Sequence, residues 1–166
     1  MGSPLSSTMA EVYLQYIEET YVKKWLDSKE IIYYKRYVDD IMIIYDQSKI
    51  QDGIILHEIN KIDKTLQFKM STEERNTINY LDITIHRNNN NMDISIYRKT
   101  TCTDVTIQFS FNHPHEHKIA AFRYYINRMI TLPITGKSKK EEWKTILAIA
   151  KNNGYPIHII NNLRKN

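Results

Sequence analysis

The 166-residue chain has a single cysteine, Cys102, which rules out an intrachain disulfide and suits an intracellular protein. No apolar run approaches the ~20 residues of a membrane span, and the N-terminus has no basic-then-apolar leader pattern. No membrane partner is expected. Glycine is scarce, at four residues. Gly136-Lys137-Ser138 lacks the upstream glycine of a phosphate-binding P-loop and carries no nucleotide site. His113, His115 and His117 alternate, but no cysteine or carboxylate cluster joins them to make a metal site. Neither sign of charge is in large excess, the net being +4. The length allows one domain or two small ones with a real core.

The charge is unevenly spread. Residues 1–97 hold 11 Lys and Arg against 15 Asp and Glu, whereas residues 98–166 hold 12 against 4. That asymmetry fits a polyanion-binding module beside a metal-binding one; solvated basic helices give the same count.

Hydrophobic spacing predicts a helix from Pro4 to about Lys24, capped by Ser3, with Met9, Val12, Tyr13, Tyr16, Ile17 and Thr20 as its core stripe. A second helix is expected from about Ile54 to Thr65, and a strand over Leu66–Ser71. Ile78–His86 and Met92–Lys99 alternate Ile with polar residues around an Asn-rich turn, the pattern of a hairpin. Its end, Tyr97-Arg98-Lys99, joins an aromatic ring to two cations, as nucleic-acid backbones require and as an ordinary solvated strand end also shows. Beyond Asn112 the chain reads as helical. Ile119, Phe122, Ile126 and Met129 mark one buried stripe, and Trp143, Ile146, Leu147 and Ala150 another. A Ser138–Glu141 capping box opens the second of these helices, and Gly154 with Pro156 closes it. Ile157–Leu163 reads as a short third helix. Three short basic helices suit a helix-turn-helix-like or thumb-like bundle, with Lys118, Arg123 and Arg128 left off the apolar stripes.

The stretch Lys35–Tyr45 sets two short apolar strands, Ile31–Arg36 and Ile41–Tyr45, on either side of Tyr37-Val38-Asp39-Asp40. Carboxylate oxygens suit Mg²⁺, and two Mg²⁺ about 4 Å apart can activate a hydroxyl and stabilise a leaving phosphate oxygen. With Gly2-Ser3-Pro4-Leu5-Ser6, Tyr80-Leu81-Asp82, Tyr97-Arg98-Lys99-Thr100, Asn112-His113-Pro114, His117-Lys118 and Asn153-Gly154-Tyr155-Pro156, that box forms an ordered series. The series resembles the C-terminal half of the reverse transcriptase of Penelope-like retroelements. The resemblance implies an α+β fold: a partial polymerase palm of antiparallel hairpins and helices over residues 1–101, then a helical thumb or helix-turn-helix-like region over residues 102–166. It further implies Asp39 and Asp40 as catalytic Mg²⁺ ligands. Gly2, Ser3, Pro4 and Tyr37 would lie at the nucleotide and primer, and Arg98, Lys99, Lys118, Arg123 and Arg128 on nucleic acid. The partners would be an RNA template and a DNA primer, or nucleic acid bound non-specifically. The family places another catalytic aspartate upstream of the Gly2–Ser6 box, where this chain starts. The expectation is therefore a truncated polymerase, inactive alone, with weak Mg²⁺ binding and an unpaired sheet edge open to association. Its compartment is read as intracellular, with a nuclear location left open. The alternative is a non-catalytic nucleic-acid-binding module.

Overall fold

A computed structural model describes residues 4–89 and 91–165 of the chain. The architecture is α+β: helices and two small antiparallel sheets, then three C-terminal helices. Two compact units form, Met1–Thr72 and Glu73–Asn166.

In the first unit α1 (Ser6–Ile17) runs through one π-helical turn (Glu18–Val22) into α2 (Lys23–Asp27). Strand β1 (Ile31–Tyr37) pairs antiparallel with β2 (Asp40–Tyr45), and α3 (Asp52–Ile62) follows. Ile17, Val22, Ile31, Ile50, Ile55 and Ile59 make the core. Arg36 of β1 fastens the hairpin to the helix: its guanidinium donates to both Glu11 carboxylate oxygens (2.9 Å each) and to Glu18 (2.6 Å). That contact holds the Glu11 carboxyl below its ordinary pKa. Glu11 therefore contributes stability above the ordinary carboxylate range that is lost as pH falls through its depressed value.

Two expectations fail here. Met9, Val12 and Tyr16 are more than half exposed, so the α1 stripe is not core; only Ile17 of that set is buried. The helix meets the hairpin through Arg36, Glu11 and Glu18, a polar contact that leaves the apolar stripe on another face. Leu66–Ser71 forms no strand. Its backbone at Phe68 instead bonds to the Asn60 side chain through both N–H and C=O (2.7 and 3.2 Å).

The second unit opens with a three-stranded meander, β3 (Thr77–Tyr80), β4 (Ile83–Asn88) and β5 (Asn91–Ile96). The sequence suggests one strand over Ile78–His86; the chain turns inside it at Leu81-Asp82. Leu81 takes φ +51°, a left-handed conformation rare without glycine or asparagine, which composition does not reveal. Helices α4 (His115–Thr131), α5 (Gly136–Asn152) and α6 (Ile157–Lys165) follow. Their core holds Phe122, Ile126, Met129, Ile146, Ile149, Ala150, Tyr155 and Ile160, with Ile94 and Ile96 of β5 packed against it. The Thr135 N–H donates to the Ile94 carbonyl (3.1 Å). The sheet thus folds with the helices, and the compact units divide at Thr72/Glu73 while the sequence suggests a division at 101/102.

Candidate nucleic-acid interface

The α5–α6 corner is built from the strongest local signals in the chain. Thr135, extended at φ −65° and ψ 156°, caps α5 by accepting the Ser138 N–H at 3.4 Å. The helix thus begins before the Ser138–Glu141 box, because a threonine three residues ahead offers the same oxygen. α5 ends at Asn152, and the four residues Asn153-Gly154-Tyr155-Pro156 carry the chain into α6. Gly154 sits at φ +77°, where a side chain would be strained.

Each neighbour of that glycine is fixed. The Asn153 amide donates to the Ile149 and Asp104 carbonyls (2.8 and 3.1 Å), and its side-chain oxygen accepts the Thr106 N–H (3.1 Å). The buried Tyr155 hydroxyl lies 2.9 Å from the Lys118 carbonyl and 2.5 Å from that of Ile107, so its proton is held between two acceptors. Burial pushes the Tyr155 phenol above its ordinary pKa. The ring packs on Phe122, with centroids 4.6 Å apart. The irregular segment 104–109 therefore straps the turn to α4. A helix pair joined by a short glycine-containing turn over a third helix is the geometry of a helix-turn-helix.

α6 enters the core with Ile160, and Arg164 stacks over the Trp143 ring of α5 at 4.6 Å. Its exposed residues include His158, Asn161, Asn162 and Lys165. At 3.6 residues per turn these four share one face. Every one of them can hydrogen-bond to a base edge or a phosphate. Nothing in the sequence reading picked out this face; the 158–161–162–165 spacing was the available signal.

The cations chosen from sequence are placed differently. Arg98 pairs with Glu142 (2.5 Å) and Asp104 (3.2 Å) and lies 5.6 Å over the Tyr125 ring. Arg128 donates to the Asp82 carboxylate and carbonyl and to the Tyr97 carbonyl (2.9, 3.0 and 2.8 Å), tying α4 to the sheet. The Lys118 ammonium donates to the Phe109 carbonyl (2.8 Å). These three serve internal contacts. Arg123 is exposed and paired with Glu116, and Lys99 is exposed.

The Tyr37–Asp40 box lies at the tip of the β1–β2 hairpin. Tyr37, Val38, Asp39 and Asp40 are all exposed, with Val38 and Asp39 as the two-residue turn. Pro4 is exposed, while Gly2 and Ser3 lie outside the described residues. Among the described residues no group of three or more Asp, Glu, His or Cys is placed to hold a metal ion. A two-metal site needs more donors than Asp39 and Asp40 supply. Among the described residues, no helix is long and apolar enough to cross a membrane.

Residues 106–165 match the family described as the animal helix-turn-helix domain. The matched segment contains most of the strap, all three helices and the α5–α6 turn. No curated protein and no solved structure matches the chain.

Proposed function

We propose that this protein binds nucleic acid through its helix-turn-helix, with α6 as the helix that enters the major groove of a DNA duplex. The observation that carries this reading is the exposed face of His158, Asn161, Asn162 and Lys165, held at a fixed angle by the strapped turn. Asparagine pairs in bidentate fashion with adenine, and each such contact is worth roughly 1–3 kcal/mol of discrimination. The reading is compatible with a nuclear role. Selection of bound sequences from a random duplex library by the full chain tests it. Enrichment of a short motif containing A·T pairs is expected, and Asn161→Ala with Asn162→Ala should abolish the enrichment while bulk binding remains. Enrichment untouched by both changes would remove α6 from the reading role.

The hairpin favours a second reading, that the first unit retains the shape of a polymerase palm. Val38, a β-branched residue, stands at φ +55°, and strain of this kind costs of order 1–3 kcal/mol and clusters at functional sites. In this reading Tyr37 faces a primer end, Asp39 and Asp40 take a hydrated Mg²⁺ weakly, and an RNA template with a DNA primer is the ancestral substrate. Two adjacent carboxylates are too few donors for two-metal catalysis. The purified chain should give no templated primer extension with Mg²⁺ or Mn²⁺, and extension lost on Asp39→Asn would restore polymerase activity to the account.

A further inference from the structure

We infer that α5 carries a lysine rail for the phosphate backbone of the same duplex, built from Lys137, Lys140, Lys144 and Lys151. The inference rests on the helix-turn-helix reading and names the surface that supplies its affinity. All four lysines are exposed, and among the described residues none is in an ion pair. Their spacing of three, four and seven residues puts them within one narrow stripe of a 3.6-residue helix. The stripe lies opposite buried Ile146, Ile149 and Ala150, so it is the solvent pole of the helix. From first to last it runs ~21 Å at 1.5 Å per residue.

Three features separate this rail from an ordinary solvated face. Solvated helix faces usually mix signs, with acids three or four residues from each lysine. Here Lys140 and Lys151 have no acid at either spacing; Glu141, four residues from Lys137 and three from Lys144, lies at one edge of the stripe, and Glu142 points to the flank where Arg98 holds it. Ala148, exposed and small, occupies the gap between Lys144 and Lys151, so the backbone can come close without a long side chain in between. The opposite flank, at Trp143, is the one on which α6 packs through Arg164. The rail therefore borders the helix assigned to the groove, and one duplex can meet both.

A straight row of point charges on a rigid helix fits the regular phosphate ladder of a duplex. Lysine, a flexible ammonium without the planar fork of arginine, suits contacts that need charge but not sequence.

The test is the salt dependence of binding of the full chain to a labelled 20-base-pair DNA duplex. The variant carries Lys137→Gln, Lys140→Gln, Lys144→Gln and Lys151→Gln. A control carries Lys23→Gln, Lys35→Gln, Lys64→Gln and Lys69→Gln, which removes the same charge from the first unit. Each phosphate contact contributes about −0.9 to the slope of log Kobs against log salt. The rail variant should lose roughly 3–4 from the slope, keep the sequence preference of the wild type, and retain its circular dichroism. The control should keep the wild-type slope. An unchanged slope in the rail variant, with binding otherwise intact, overturns the rail and leaves the helix-turn-helix reading standing. Equal slope loss on a flexible single strand overturns the duplex assignment. Tight binding of the wild type to an acidic peptide, with no binding to any nucleic acid at low salt, overturns both.

Discussion

Glu142→Ala should destabilise the second unit by about 3 kcal/mol, since removing one partner of a buried ion pair leaves the other charge uncompensated. The Glu142 side chain is only 9% exposed and the Arg98 side chain 21%. Arg98 Nε is already buried without a hydrogen-bond partner, so the guanidinium depends on Glu142 and Asp104 for what solvation it has. The partial exposure of Arg98 sets the value at the lower end of the range for buried pairs. Arg98→Ala should cost a similar amount by stranding the Glu142 carboxylate. The double change Arg98→Met with Glu142→Leu should recover most of the loss, because an apolar pair of like volume avoids desolvating two charges. Urea unfolding of the three variants measures this. Additive losses in the double variant would show that the pair is not coupled. The same substitution separates structure from binding at Arg98. Arg98→Ala should weaken nucleic-acid binding only as far as it unfolds the unit, whereas a phosphate contact would be lost with the fold intact.

The helical part was legible because its residues obey one dominant rule. Ile119, Phe122, Ile126 and Met129 repeat at helical spacing and are all buried, and Gly154 ends α5 by the conformation only glycine takes easily. The Tyr37–Asp40 hairpin was legible too, since β-branched and aromatic strands flank it, although β1 and β2 extend further and leave a two-residue turn. The same periodicity misled at α1. Met9, Val12 and Tyr16 form a stripe as regular as that of α4, but spacing does not say whether a partner surface exists. The Leu81 turn has no glycine or Asn-Gly to mark it; its one trace in the sequence is a shift of the apolar phase, from Ile78 and Tyr80 to Leu81, Ile83 and Ile85.

Charge was the least legible quantity. A count of 12 cations against 4 acids does not say which cations those acids occupy. Asp104 and Glu142 take Arg98, and Glu116 takes Arg123, while Arg128 and Lys118 turn inward to carbonyl groups. Arg98, set beside Tyr97, looked like a binding surface and braces the fold through Glu142 and Asp104, while Lys99 next to it stays exposed. Among the described residues, the exposed cations outside any ion pair include four ordinary-looking lysines of α5, whose spacing was present in the sequence all along.

Residue-resolved amide hydrogen exchange of the full chain, with and without saturating duplex DNA, tests the central claim most directly. A ligand that binds only the folded state stabilises it by about 2.7 kcal/mol at a hundredfold excess over Kd. Amides of α5 and α6 that exchange through unfolding should therefore slow about a hundredfold. The largest changes should fall on residues 137–151 and 157–165. The amides of the β1–β2 hairpin should keep their rates. Protection confined to residues 4–72, or exchange unchanged everywhere at saturating duplex and low salt, would contradict the assignment of α5 and α6 as the nucleic-acid-binding surface.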